Sequence, residues 1–278
     1  MMKTVALPCG QKVPALGMGT WHIGEDPSRR AGEIATLRQG LELGARLIDT
    51  AEMYGDGRAE EVVGEAAQGR RDEVFLVSKV LPSNASRQGT VAACERSLRR
   101  LKTDRLDIYL LHWRGSVPIS ETVEGFLDLQ RAGKIRHFGV SNLDLGEMEE
   151  LWAVPSGRAA QTNQLLYNLC RRSIEWDLLP WLRQHRIPVM AYSPIEQARL
   201  LEDSKLVAFA RDAAITPAQA ALSWLLAKDD IIVIPKTSRQ DRLEENLGAL
   251  RHPLTARQLA ELNRLFPPPA GPRPLEML

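Results

Sequence analysis

The chain has little cysteine. Cys9, Cys94 and Cys170 are its only three in 278 residues, and they lie far apart with no CxxC pair. That argues against a disulfide framework or a cysteine zinc site, no metal is expected, and a reducing compartment is the natural setting. Charge of one sign is lacking too: 36 Lys and Arg stand against 35 Asp and Glu. No overall field draws the chain to nucleic acid or an anionic membrane, so any anion site must be local. No apolar run is long enough to cross a bilayer, and the opening MMKTVALPCG has no basic segment leading into a long apolar stretch, so a cytoplasmic location is expected. Low-complexity tracts and close repeats are missing, and the one Pro/Gly-rich tract, PPPAGPRP, stands in the tail. With no linker to divide it, 1–278 reads as a single domain with apolar content for one large core. A dinucleotide-binding GxGxxG after a strand is also missing, because GMGTWHIG (17–24) has neither the spacing nor a following helix.

What the sequence does contain is an alternation. After a hairpin, TVALPCGQKVPAL, turned at Pro8 to Gln11, come eight short apolar segments: 15–20, 46–50, 74–79, 106–112, 135–142, 159–164, 188–193 and 231–236. Amphipathic patterns lie between them at 33–43, 60–67, 87–101, 122–132, 145–152, 174–185 and 217–227, the last with Thr216 as N-cap before Pro217. Strands alternating with helices pair in parallel, and eight repeats in this length predict an α/β fold of the (β/α)8 TIM-barrel type.

A barrel gathers its strand ends at one mouth. Those ends here carry Thr20 and Trp21, Asp49, Lys79, His112, Ser141 and Asn142, Gln164, Tyr192 and Ser193, and Lys236 and Thr237. Asp49, Lys79 and His112, with Tyr54 in the loop after the second strand, form a proton-handling set. Lys79 beside Tyr54 favours the phenolate and moves the tyrosine toward service as a general acid, while Asp49 keeps Lys79 charged. Taken singly, Asp49 could be a turn residue, Lys79 a solvent-seeking strand end and His112 structural; their coincidence at successive strand ends favours chemistry. After the last strand, PKTSRQDRLEEN (235–246) supplies Lys236, hydroxyls, Arg239, Arg242 and a helix start, a phosphate site with no acid placed for a ribose 2′-hydroxyl, which favours NADP over NAD. Asn142 and Gln164 can pair with a carboxamide, and Tyr192 offers a flat face to a ring.

In this order, DTAEMYGDGRAEEVVG, VSK, LLHW, GKIRHFGVSN, TNQ, AYSP and IPKTSRQDRLEENL resemble the aldo-keto reductase superfamily across essentially the whole chain. WHIGED and EWDLLPW add a likeness to its bacterial monomeric members of the methylglyoxal and diketogulonate reductase kind. The resemblance implies a barrel whose base the hairpin closes, NADPH bound without a Rossmann fold, Tyr54 as proton donor tuned by Lys79 and Asp49, and His112 orienting the carbonyl. For His112 it leaves open that the imidazole assists proton transfer instead, and it also implies Ser141, Asn142 and Gln164 on the carboxamide, Tyr192 on the nicotinamide, Lys236, Thr237 and Arg242 on the 2′-phosphate, and Glu245 and Asn246 near the adenine. Ala45 stands where many members carry an aromatic residue, and the loop after Tyr54 is a few residues longer than in the aldose-reductase-like branch.

The expected activity is NADPH-dependent reduction of small carbonyl compounds, ketoaldehydes such as methylglyoxal and aromatic aldehydes, by a monomer, with Trp21, Met53 and Trp113 walling the substrate pocket. Two other readings stand beside it. One is an NADPH-binding sensor with little turnover, as the potassium-channel β-subunit members suggest. The other is a phosphate-binding barrel isomerase or lyase, which leaves Asn142, Gln164 and Tyr192 without a role.

Overall fold

The computed structural model describes residues 3–278. Strands β1 (Thr4–Ala6) and β2 (Lys12–Pro14) form an antiparallel hairpin in which Val5 pairs with Val13. Eight further strands form one parallel sheet in chain order: β3 (Met18–Gly19), β4 (Leu47–Asp49), β5 (Phe75–Val80), β6 (Leu106–Leu111), β7 (Ile135–Ser141), β8 (Asn163–Leu166), β9 (Val189–Tyr192) and β10 (Ile231–Val233). The sheet curls until its two ends meet. Gly17 N donates to the Val233 carbonyl at 2.8 Å, Val233 N to that of Ala15 at 2.8 Å, and Gly19 N to that of Pro235 at 3.0 Å, as a (β/α)8 barrel requires. Side-chain volume limits that seam: a Cβ on Gly19 would sit 2.9 Å from the Ile234 carbonyl oxygen, so only glycine lets the chains approach.

Helices pack around the sheet: α1 (Arg30–Glu42), α2 (Arg58–Ala66), α3 (Arg87–Leu101), α4 (Ile119–Arg131), α5 (Leu145–Ala153), α6 (Leu178–Gln184), α7 (Ser204–Asp212), α8 (Pro217–Leu226), α9 (Gln240–Gly248) and α10 (Ala256–Leu265). The strands are buried on both faces, which is why they read as continuous apolar runs rather than alternations. Tyr109, Phe126 and Phe138 illustrate the packing between layers, with Phe126 stacked on Phe138 at 5.2 Å between ring centroids. The hairpin lies against the ends of the strands opposite the mouth: Cys9 N donates to Gln161 Oε1 at 2.9 Å, and Lys3 Nζ to the Leu226 carbonyl at 2.7 Å.

Two expected elements are corrected. The sixth sheet strand begins at Asn163 rather than near 159, because Gly157–Ala159 form a 3-10 turn first. The single helix expected over 174–185 is a 3-10 turn at Ser173–Glu175 followed by α6. Pro180 explains the break: in a helix begun at 174 its missing N–H and ring would fall in the interior, whereas in α6 it stands in the first turn. Helices α7 and α10 answer to no expected element.

Candidate active site

The mouth of the sheet opens on a cavity of about 520 Å³. β4 carries Leu47 and Ile48 through the core and ends on the buried Asp49. Asp49 is in register with Val77, and Lys79, two residues further along β5, therefore shares its face one layer nearer the mouth. Lys79 is fully buried, and all three of its N–H bonds find acceptors: Asp49 Oδ2 at 2.8 Å, the Thr50 carbonyl at 2.8 Å and Tyr54 Oη at 3.2 Å. An ammonium without water is tolerated because each donor is satisfied and a carboxylate neutralises it. Asp49 is held in turn, since Gln164 Nε2 donates to its Oδ1 at 2.7 Å and Thr20 Oγ1 to its carbonyl at 2.9 Å.

The electrostatics correct one expectation. Burial lifts the Tyr54 phenol above its ordinary range; the Lys79 charge opposes that rise without cancelling it, and Asp49 adds to it. Desolvation outweighs the ammonium because the phenol is largely enclosed by protein at the cavity wall. Lys79 itself is held above the usual lysine range, the pull of burial being overcome by Asp49 and Tyr54, so it stays an ammonium. Burial, followed by the Lys79 charge, drives the His112 imidazole down to about 2, and it is neutral at any working pH. Its Nδ1 is buried without a partner among the described residues. The Tyr54 and His112 rings meet edge to face at 5.8 Å, and Trp113 packs on His112 at 4.7 Å.

A polar wall continues from β7 to β9. Ser141 Oγ donates to the Gln164 carbonyl at 3.0 Å, Asn142 Nδ2 donates to the His112 carbonyl at 3.2 Å, and Tyr192 Oη donates to Asn142 Oδ1 at 3.0 Å. This wall fits a planar ring bearing a carboxamide. The Tyr192 ring faces the cavity, the Asn142 carbonyl oxygen keeps a lone pair, and Gln164 Oε1 has no partner among the described residues. Trp21, Met53, Trp113 and Ser193 line the same cavity, as does Lys236.

Thr237, Arg242, Glu245 and Asn246 are not brought into that lining. They continue beyond Lys236 onto α9, where Arg242 Nη1 donates to Glu245 Oε2 at 2.8 Å, Arg239 pairs with Asp241, and Asn246 is buried. Asp241 and Glu245 are thus paired to arginines of this stretch, while Glu244 Oε1 accepts from Gln39 Nε2 at 2.6 Å. His22, which the sequence reading missed, also lines the cavity, and so do Met277 and Leu278 of the tail PPPAGPRPLEML, a segment expected from the sequence to bear on pocket breadth. His22 adjoins Trp21, their rings 4.0 Å apart, and the tail is tied down where Arg171 Nη1 meets Glu276 Oε1 at 2.9 Å.

A sequence model described as the aldo/keto reductase family matches residues 15–266. The chain belongs to the aldo-keto reductase family. The match runs from just after the hairpin to the end of α10, so it spans the whole curled sheet. This aldo-keto reductase is 49% identical over 271 residues to methylglyoxal reductase YeaE of Escherichia coli (strain K12), covering 96% of this chain and 95% of that protein. Among solved structures, an aldo/keto reductase from Klebsiella pneumoniae in complex with NADP and acetate superposes with a TM-score of 0.97 at 48% identity, over 100% of both chains. A Klebsiella pneumoniae aldo-keto reductase in complex with NADPH gives the same values. Among the described residues no group of three or more His, Cys, Asp or Glu is arranged to hold a metal ion, and no helix is long and apolar enough to cross a membrane.

Proposed function

We propose that this aldo-keto reductase reduces small aldehydes and ketoaldehydes, of the methylglyoxal kind, and aromatic aldehydes to alcohols with NADPH. The observation that carries this reading is the Tyr54 hydroxyl held 3.2 Å from a fully buried Lys79 ammonium at the wall of an aromatic-lined cavity. When bound, the dihydronicotinamide supplies the hydride that the carbonyl carbon accepts. Tyr54 delivers its proton to the alkoxide oxygen as charge develops there. Lys79, kept charged by Asp49, stabilises the phenolate left behind, and that stabilisation is worth most in a site shielded from water. His112, neutral, donates one N–H to the carbonyl oxygen and orients it without adding a second positive charge beside Lys79.

For the cofactor, Ser141, Asn142 and Gln164 would hold the carboxamide and Tyr192 would stack on the nicotinamide, with Thr20, Trp21 and Ser193 along the same wall. Lys236, Thr237 and Arg242 would take the 2′-phosphate, and Glu245 and Asn246 would lie beside the adenine. Support comes from the partnerless Gln164 Oε1 and from the NADP and NADPH complexes of the Klebsiella pneumoniae relatives. Trp21, Met53 and Trp113 would wall the substrate, favouring small or flat carbonyl compounds, and the name of the E. coli relative supports methylglyoxal among them. The same reading takes 1–278 as one (β/α)8 domain with its base plugged by the hairpin, working as a monomer in the cytoplasm.

The test is NADPH oxidation, followed by near-ultraviolet absorbance, with methylglyoxal and with a nitrobenzaldehyde. NADPH is expected to be turned over much faster than NADH, and Tyr54→Phe to lose at least about a hundredfold in kcat with little change in NADPH affinity. Tight NADPH binding with no turnover of any carbonyl would remove the reductase reading and leave a cofactor-binding sensor.

A further inference from the structure

Two buried carboxylates flank Tyr54 and take no part in the reaction described above: Glu52, two residues before it, and Glu60, six after. Glu60 on α2 is fully buried; its Oε1 accepts from Ser78 Oγ at 2.6 Å and its Oε2 from Arg100 Nε at 2.6 Å. Glu52 Oε1 accepts from Leu81 N at 2.8 Å and Asn84 Nδ2 at 3.0 Å, and its Oε2 lies 3.5 Å from Arg96 Nη2. Ser78 and Leu81 stand on either side of Lys79 in the sequence. The alternation of β5 turns Ser78 outward, toward Glu60 of α2, while Lys79 points inward, to Asp49 and Tyr54. Arg96 and Arg100 are one helical turn apart on α3, so a single helix face closes both joints.

Gly55, Asp56 and Gly57 are all left-handed, with φ of 56°, 55° and 88°, and a Cβ on Gly57 would lie 2.6 Å from the Arg100 side chain. Glycine adopts that region freely, so Asp56 is the one residue of the three whose backbone the surroundings must hold there. Burying a carboxylate is also costly, and a buried ion pair is weak evidence for stability, so these two groups are better explained by the geometry they fix.

We infer that Glu52 and Glu60 are positioning residues that staple the turn carrying Tyr54 to the strand carrying Lys79 on both sides, holding Tyr54 Oη against Lys79 Nζ. This rests on the reading of Tyr54 as proton donor. Neither glutamate touches substrate or cofactor; each acts through the hydroxyl-to-ammonium distance, and loosening either joint slows proton delivery while leaving cofactor binding intact.

The experiment measures single-turnover reduction of methylglyoxal by the NADPH-loaded enzyme, in water and in deuterium oxide, for Glu60→Gln, Glu52→Gln, Ser78→Ala and Tyr54→Phe. Ser78→Ala guards against misfolding, since it opens a joint without removing a charge or breaking the Glu60–Arg100 pair. The expected result is a single-turnover rate about tenfold lower in each staple variant. The solvent isotope effect should be larger than in the parent, because proton transfer has become the slower event, and NADPH affinity by fluorescence should change less than twofold. The inference is overturned if Tyr54→Phe is inactive while the staple variants keep the parental rate and isotope effect and lose only melting temperature. If Tyr54→Phe keeps its rate, the donor reading itself fails and the staple falls with it, an outcome distinct from the first.

Discussion

A histidine that cannot protonate is a liability in acid. His112 sits beside the Lys79 ammonium, buried, with its protonation depressed from the ordinary 6.5 to about 2. The unfolded chain therefore binds a proton at this position that the folded chain refuses. Stability from this group is complete above pH 6.5 and declines as pH falls toward 2, by at most about 1.4 kcal/mol per pH unit. Urea midpoints measured between about pH 4.5 and 8 should fall on the acid side, and His112→Asn, which has no such proton to refuse, should flatten that slope. An unchanged slope would mean that other groups carry the acid sensitivity. The same neutrality has a chemical consequence: the imidazole can steer a carbonyl as a hydrogen-bond donor, and in the proposed mechanism the transferred proton is left to Tyr54, whose conjugate base Lys79 would stabilise.

Among the helices, α8 is the most fully specified by its own sequence. Thr216 Oγ1 accepts from Gln219 N at 3.2 Å, Gln219 Oε1 accepts from Thr216 N at 3.2 Å, and Pro217 opens the first turn. Thr216→Ala should cost about 1 kcal/mol in chemical denaturation without altering kcat, because α8 packs outside the sheet and does not line the cavity. A capping box of this kind is local, and so the Thr216 start was readable without the fold. The strand ends were readable for the opposite reason: Asp49, Lys79, His112 and Gln164 mean little one by one, but parallel topology brings successive strand ends together. What could not be read depends on contacts between distant segments. Glu196, Gln197 and Ala198 adopt left-handed backbone after β9 although none is glycine, and no local signal marks them. Helix α10 carries Leu259, Leu262 and Leu265 at helical spacing, a legible pattern that the sequence reading passed over, whereas the place of Met277 and Leu278 in the cavity goes with the Arg171–Glu276 pair. The direction of the Tyr54 shift was missed because a sequence names the charge beside a phenol but not the depth at which it is buried.

For the molecule as a whole, the site and the fold are linked through the cofactor. A ligand that binds only the folded barrel stabilises it by RT ln(1 + [L]/Kd), about 2.7 kcal/mol at a hundredfold excess over Kd. For a chain of this size that corresponds to a rise of roughly 5–10 °C in melting temperature. NADPH should produce such a shift, and NADH at the same concentration a smaller one, if the basic stretch beginning at Lys236 takes the extra phosphate as proposed. Lys236 is half-buried at the cavity edge, with its pKa lowered first by desolvation, so its ammonium is poorly hydrated and gains most from an anion beside it. Lys236→Met should therefore cut the NADPH shift toward the NADH value while leaving the NADH shift and the melting temperature of the free protein nearly unchanged. Equal shifts for the two cofactors in the parent protein would mean that the arginines of α9 remain paired with Asp241 and Glu245 when a dinucleotide binds, and that the stretch after β10 is a solvated helix start rather than a phosphate site.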